Sequence, residues 1–302
     1  MVVMGSVFAL LCIATGIFIG IRMGNREKDY TELGLRIKSW WGMCLVVFGV
    51  LIVSPTITIL FFAFVSFLAL KEFFSIVPTR LSDRRVIFWA YVSIPIQYYW
   101  VYDKWYGMFI IFIPVYMFLF LPMRMVLIGE TKGFIRSAGI LQWAMMLTVF
   151  CISHIAFLIT LPVKDSEAGS IGLVLFLLCM TELNDVCQYI WGKSLGKHKI
   201  TPKVSPNKTW EGFIGGVISI TIIGAFLAPY LTPLSFKLGV AASFIIAVSG
   251  FFGDLVVSSA KRDLHIKDSG MAIPGHGGIL DRLDSLLFTA PLFFHFVRYF
   301  EF

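Results

Sequence analysis

Charged residues are scarce in this 302-residue chain, and their scarcity excludes a soluble globular protein. Asp, Glu, Lys and Arg make up 14% of the sequence, whereas hydrophobic residues make up 58%. An average soluble domain carries about 25% charged residues. The apolar residues come instead in runs of roughly 20, the length that an α-helix needs to cross a bilayer. The composition therefore predicts an all-α, polytopic helical membrane protein.

Cysteine is also rare, and its placement argues against zinc or disulfide chemistry. All five cysteines fall inside apolar runs, without a Cys-x-x-Cys pair or a neighbouring histidine cluster. We interpret them as small hydrophobic residues. The first apolar run also lacks the positively charged start of a signal peptide, so we interpret it as a retained span. The sequence shows no internal repeat.

Ten apolar segments are candidates for membrane spans. They are approximately 4–21, 40–53, 55–75, 86–101, 106–122, 139–161, 169–191, 211–230, 235–258 and 283–300. Because the second segment is short, we predict about nine to ten transmembrane helices. We expect an amphipathic helix along the membrane surface over residues 22–39. Residues 1–160 are predicted to form N-terminal transmembrane helices, and residues 161–302 the catalytic helices of one integrated membrane domain.

The positive charges alternate between the connections of these segments. The net charge is +7, and of 25 Lys and Arg residues only Lys104, Lys164, Lys237 and Arg298 lie outside one set of alternate connections. The positive-inside rule makes the basic face cytoplasmic. The charge thus reflects topology and not nucleic-acid binding. We expect both termini to lie on the opposite face.

The densest polar stretch, Ser258–Ser285, lies between two apolar runs, and we call it the signature segment. Charged groups are costly to place at a membrane, so a dense cluster of them indicates a functional site. Asp281 and Asp284 share one face if a helix begins there, and Asp254 lies one turn before Ser258. Such carboxylates suit a hard cation such as Mg²⁺. Alternatively, they stabilise a helix N-terminus or form a network at a helix end.

Three further polar groups lie outside the signature segment. Glu182, Asp185 and Gln188 share one face of an apolar helix, which predicts a cavity lining. Lys208 and Thr209 lie where a helix begins, a position that suits a bound anion or ordinary capping. Lys71-Glu72 lies at a span end, and we interpret it as an ordinary interface pair.

The spacing of these polar residues resembles that of one known family. Ser258-x-x-Lys261-Arg262-x-x-x-x-Lys267-Asp268, followed by Pro274-x-His276-Gly-Gly-x-x-Asp281-Arg-x-Asp284, resembles the signature of the CTP:phosphatidate cytidylyltransferase (CDP-diacylglycerol synthase) family. The block Ser205–Gly212 is similar to that family's Ser-Pro-Lys-Lys-Thr-Trp-Glu-Gly, with Asn207 replacing the commoner Lys. Asn184-Asp185 stands where many bacterial members have Ala-Asp. The resemblance covers roughly residues 180–285 and indicates a bacterial branch. It therefore implies a protein of the bacterial inner membrane, with its active site on the cytoplasmic face.

The resemblance implies a nucleotidyltransferase that moves CMP from CTP to phosphatidate, releasing pyrophosphate. It implies that Asp254, Asp281 and Asp284 bind Mg²⁺, with a second cation as an option. It implies CTP, a lipid phosphate and membrane lipids as partners, with no nucleic acid, and leaves a homodimer open. The residues that it assigns to catalysis are Asp281, Asp284, Lys261, Arg262, Lys267, Asp268 and His276. Those that it assigns to substrate binding are Ser205, Lys208, Thr209, Asp185, Gly277, Gly278 and Arg282.

Two alternatives remain from the sequence. A related CTP-dependent lipid enzyme, such as a CDP-archaeol-type synthase or a polyprenol kinase, would use similar polar residues. A membrane transporter would also carry acidic residues within its spans. The long signature favours cytidylyl transfer, and the absence of an inverted repeat argues against a transporter.

Overall fold

The computed structural model describes residues 30–163, 168–272, 275 and 277–302, together with scattered positions between 5 and 19. Within these residues the protein is a bundle of helices with one short β-hairpin. The all-α prediction is confirmed apart from that hairpin.

Over residues 30–163, the first half of the bundle contains five helices besides a single 3-10 turn at Leu81–Asp83. They are α1 (Thr31–Val53), α2 (Pro55–Ile76), α3 (Arg84–Tyr102), α4 (Tyr106–Val126) and α5 (Phe134–Leu158). A short π-helical stretch interrupts α4 and another interrupts α5. The Ser54 hydroxyl caps α2 by accepting a hydrogen bond from the Ile57 amide, so two helices meet at a tight turn.

The second half contains the hairpin and the remaining helices. They are α6 (Gly169–Leu195), β1 (Lys199–Thr201), β2 (Ser205–Thr209), α7 (Trp210–Leu231), α8 (Phe236–Asp263), α9 (Leu280–Leu283) and α10 (Leu286–Glu301). The two strands are antiparallel. The loop from the end of α8 to the start of α9 carries most of the signature segment.

Seven of the described helices are long and apolar enough to cross a membrane: α1, α2, α4, α5, α6, α7 and α8. The protein is therefore an integral membrane protein. Our predicted spans at 86–101 and 283–300 are helical, but α3 and α10 are not among those seven, and α10 has only 16 residues. Half of the residues in the run 4–21 lie outside the described part of the chain. The predicted count of nine to ten spans is thus not confirmed.

The beginning of α1 differs from our expectation. We predicted a separate surface helix over residues 22–39, but residues 31–39 belong to a continuous 23-residue helix that ends at Val53. No proline interrupts this stretch, so the helix propagates without a break. Residues 21–29 lie outside the described part of the chain. The apparently short second span is the apolar end of a longer helix.

Small residues let the helices of the second half pack closely. A Cβ atom at Gly216 would collide with the side chain of Gln188, and one at Gly224 would collide with that of Ser243. Such positions allow membrane helices to approach each other closely. Helices α6, α7 and α8 therefore form a fixed frame for the polar residues at their ends.

Several connections meet at one end of this bundle. The Arg80 guanidinium, which pairs with Asp83, also donates to the Lys132 carbonyl at 2.6 Å. The Arg262 Nε atom donates to the Val204 carbonyl at 3.2 Å and so ties the signature segment to the hairpin. These contacts gather the basic connections at the end of the bundle where the candidate site lies.

Candidate active site

A cavity of about 1100 Å³ opens at this end of the bundle. Its walls come from α1, α6, α8, β2 and the signature segment through to the start of α10. Nine of the fifteen residues that we assigned to the site line it: Asp185, Lys208, Asp254, Lys267, Asp268, Gly277, Asp281, Arg282 and Asp284. Three polar groups that are far apart in sequence therefore share one cavity.

Lys208 joins two of these groups. Its ammonium lies 2.8 Å from Asp254 Oδ2 and 3.2 Å from Gln188 Oε1. Burial lowers the pKa of Lys208, but the negative charges of Asp254 and Asp185 outweigh that effect and raise it overall. The ammonium therefore stays protonated and can face phosphate oxygens. The hydrogen bond brings Gln188 next to Lys208, but of the three polar residues predicted to share one face of α6 only Glu182 and Asp185 line the cavity.

Asp185 and Asp284 converge on Ser285. Asp185 Oδ2 accepts a hydrogen bond from the Ser285 hydroxyl at 3.0 Å, and Asp284 Oδ1 accepts one from the Ser285 amide at 2.8 Å. Asp185 Oδ1 is buried and has no hydrogen-bond partner within the described residues. A buried carboxylate oxygen without a partner is costly, so this atom is suited to an added cation or donor.

The donor chemistry of this cluster fits Mg²⁺. Asp185, Asp254 and Asp284 supply only carboxylate oxygens, which are the ligands that magnesium prefers. Asp254 also accepts a hydrogen bond from Ser258, as the four-residue spacing predicted. Among the described residues, however, no three His, Cys, Asp or Glu side chains are already grouped as metal ligands. Metal binding therefore stays a prediction.

Asp281 has a different environment from the other carboxylates. Its Oδ1 atom pairs with the Lys261 ammonium at 2.7 Å, and its Oδ2 atom accepts from the Ser269 and Gly278 amides at 2.8 and 2.9 Å. Burial raises the pKa of Asp281, but these donors outweigh it and lower the pKa overall. Gly277 has a positive φ of 83°, and a Cβ there would press on Asp281 Oδ2. Asp281 thus closes the loop around its own carboxylate.

Five further assigned residues are described by the structure but do not line the cavity: Ser205, Thr209, Lys261, Arg262 and Gly278. Thr209 is buried and accepts a hydrogen bond from the Gly212 amide, so its hydroxyl caps α7 where we had expected substrate binding. Arg262 is exposed and donates to two backbone carbonyls, so it braces loops and does not face the cavity. Ser205 lies in β2. His276 lies outside the described residues.

Sequence reasoning missed the contribution of the first helices. Arg36 and Trp40 of α1 line the cavity, and Gly275 packs directly on the Arg36 backbone. Glu72 of α2 accepts hydrogen bonds from the signature segment, so our interpretation of it as an ordinary interface pair is wrong. An acid near the end of an apolar helix is itself a signal for function. We gave that signal too little weight because Lys71 stands beside it.

Comparison with known proteins identifies the family. The cytidylyltransferase family matches residues 34–300, which is most of the chain. The chain belongs to the cytidylyltransferase family. It is therefore a transferase of lipid metabolism, and this family implies CTP and a lipid phosphate as substrates.

Individual relatives of this cytidylyltransferase differ in how much of the chain they match. The Escherichia coli (strain K12) protein named Uncharacterized protein YnbB is 44% identical over 98% of this chain and 97% of its own length. The phosphatidate cytidylyltransferase of Staphylococcus saprophyticus is 40% identical, and that of Staphylococcus aureus (strain COL) is 38% identical. Each staphylococcal match spans 50% of this chain and 59% of the enzyme.

The contacts of Asp281 predict that Asp281→Asn lowers CTP-dependent turnover by at least roughly a hundredfold. The asparagine keeps one oxygen, but its amide group would face either Lys261 or the donating amides, so the loop would shift. The measurements are the turnover rate and the size-exclusion elution profile of the purified variant in detergent, which reports whether it is folded. Asp263→Asn, at the exposed end of α8, is the matched control and should be neutral. Near-normal turnover of Asp281→Asn would contradict the role given to this carboxylate.

Proposed function

We propose that this enzyme is a phosphatidate cytidylyltransferase, which forms CDP-diacylglycerol and pyrophosphate from CTP and phosphatidate. The observation that carries the proposal is the cavity in which Lys208, the Asp185–Asp254–Asp284 cluster and the signature segment meet. The staphylococcal relatives with that activity support it. The chain spans 59% of their length, so the lipid substrate is part of the proposal.

The proposed reaction needs no nucleophile from the protein. A phosphate oxygen of the lipid attacks the α-phosphorus of CTP, a new P–O bond forms, and the bond between the α- and β-phosphates breaks. Pyrophosphate leaves with that bonding pair. Catalysis in phosphoryl transfer of this kind consists largely of positioning and charge stabilisation. The protein must therefore hold two anionic substrates together.

The charges around the cavity are arranged for that task. Lys208 lines the cavity and is held there by Asp254 and Gln188, where it can contact phosphate oxygens of CTP. Arg282 lines the cavity, and its Nε atom is buried without a hydrogen-bond partner in the described residues. Lys267 and Arg36 add positive charge to the wall. We assign Arg282 and Lys267 to the phosphates of the substrates.

Magnesium completes the proposed site. Asp254 and Asp284 would hold it. Asp281 is already held by an ammonium and two backbone amides, whereas the partners of Asp254 are two side chains, Lys208 and Ser258. When bound, the ion would neutralise charge on the phosphates of the nucleotide. Asp185 would then contribute its unpartnered Oδ1 atom as an acceptor toward the same centre.

The product of the reaction tests this proposal directly. We expect the purified enzyme to convert CTP and phosphatidate to a CDP-lipid and pyrophosphate, as measured by mass spectrometry. A panel with lysophosphatidate, an archaeal-type ether phosphatidate and a polyprenol separates the related activities. We expect EDTA to abolish turnover and Mg²⁺ to restore it. Formation of polyprenyl phosphate, or a CDP-lipid from the ether substrate alone, would contradict the proposed substrate.

We further propose that the cavity faces the cytoplasm, where CTP is available. The support is electrostatic, since the basic connections meet at the end of the bundle that carries the cavity. Arg80, Lys132 and Arg262 belong to these connections and contact neighbouring backbone there. The other end retains Lys104 and Lys237.

Accessibility to a membrane-impermeant maleimide tests this orientation. In a variant without native cysteines, a cysteine at Met271, which is 96% exposed, should react in inverted vesicles and not in intact spheroplasts. A cysteine at Lys237, at the beginning of α8, should show the opposite pattern. Labelling of the position 271 cysteine from the outside of intact cells would contradict the orientation.

A further inference from the structure

Glu72 of α2 contacts the signature segment although it lies about two hundred positions earlier in the chain. Its Oε1 atom accepts from the Ser269 hydroxyl at 2.5 Å and from the Leu280 amide at 2.9 Å. Its Oε2 atom accepts from the Ile279 amide at 2.8 Å. Hydrogen bonds to an ionised carboxylate are about twice as strong as neutral ones. Three of them on one side chain join α2 firmly to this segment.

The backbone of the segment is shaped to admit this carboxylate. A Cβ atom at Gly278 would collide with Glu72 Oε1 and with the Ser269 hydroxyl. A Cβ atom at Gly270 would lie 3.1 Å from Glu72 Oε2. Glycine lets a backbone approach another group closely. The Glu72 contact therefore depends on glycines at both flanks of the loop.

The donors to Glu72 also lie beside the donors to Asp281. The Ser269 hydroxyl donates a hydrogen bond to Glu72, and the Ser269 amide donates one to Asp281. The Ile279 and Leu280 amides, which donate to Glu72, lie at the start of the turn that carries Asp281. Backbone amides at the start of a helix need hydrogen-bond acceptors from outside that helix. Glu72 supplies those partners from another helix and thereby fixes the start of α9.

We propose that Glu72 is a positioning residue for cytidylyl transfer. It holds the start of α9 so that Asp281 and Asp284 keep their places in the cavity, and it does not itself line that cavity. This role rests on the proposed function, because the reaction is the one that Asp281 and Asp284 serve. It also makes the N-terminal helices part of the catalytic machinery and not only a membrane support.

Glu72→Gln tests the role with an isosteric change. The amide oxygen can replace one carboxylate oxygen, but the new NH₂ group then faces a donor, either the Ile279 amide or the Ser269 and Leu280 pair. Hydrogen–deuterium exchange of the peptide over residues 278–283 should become faster in the purified variant. The kcat for CDP-lipid formation should fall roughly a hundredfold, because misplacement of catalytic groups by about 1 Å has that effect. The KM for CTP should change far less than kcat.

Two other variants complete the test. Lys71→Gln changes an exposed neighbour on the same helix and should alter neither exchange nor kcat. Ser269→Ala removes one of the three donors and should give an intermediate effect, which keeps the proposal testable if Glu72→Gln does not fold.

The two readouts separate this proposal from the proposed function. Unchanged exchange in both Glu72→Gln and Ser269→Ala would overturn the positioning role, even with a fully active wild type. Faster exchange with wild-type kcat would overturn it as well. If the wild-type protein were inactive on every lipid acid, that result would count against the proposed function. The hydrogen–deuterium exchange of residues 278–283 would then show by itself whether Glu72 holds the start of α9.

Discussion

The carboxylate of Asp281 closes the loop on which the rest of the site depends. It pairs with one ammonium and accepts hydrogen bonds from two backbone amides, so the chain folds back on itself between the end of α8 and the start of α9. Glu72, which belongs to α2, accepts hydrogen bonds from neighbouring donors of the same loop. Since a buried donor or acceptor without a partner is costly, these two carboxylates leave the loop few alternative arrangements.

Charge balance explains why the remaining groups belong together. Asp185, Asp254 and Asp284 share one region, and Lys208 pairs directly with only one of them. Like charges in a confined space repel, and burial adds to the cost. The cluster is therefore incomplete without further positive charge. A divalent cation together with anionic phosphates would balance the charge of both the excess carboxylates and the basic residues that line the same cavity.

The sequence was sufficient for the helical class and for most of the cavity, but not for the number of spans or the beginning of α1. Lipid makes apolar runs long and polar exceptions rare, which is why the helical class and most of the cavity could be predicted. Asp185, Lys208 and Asp254 were found in this way, and the structure brings them together. Glu72, Arg36 and Trp40 were missed because their roles depend on which helices pack against the signature segment, and spacing along one helix carries no such information. The sequence could not separate two roles for Thr209, because capping a helix and binding an anion use the same residue types at the same place, and the structure shows the cap.

The central claim is that this cavity transfers the cytidylyl group of CTP to a lipid phosphate. The most direct measurement compares CTP labelled with ³²P at the α-phosphate and at the γ-phosphate, with phosphatidate vesicles as acceptor. Only the α-label should enter the lipid, and Asp284→Asn should abolish the incorporation. Entry of the γ-label into lipid, or undiminished α-label incorporation by Asp284→Asn, would contradict it.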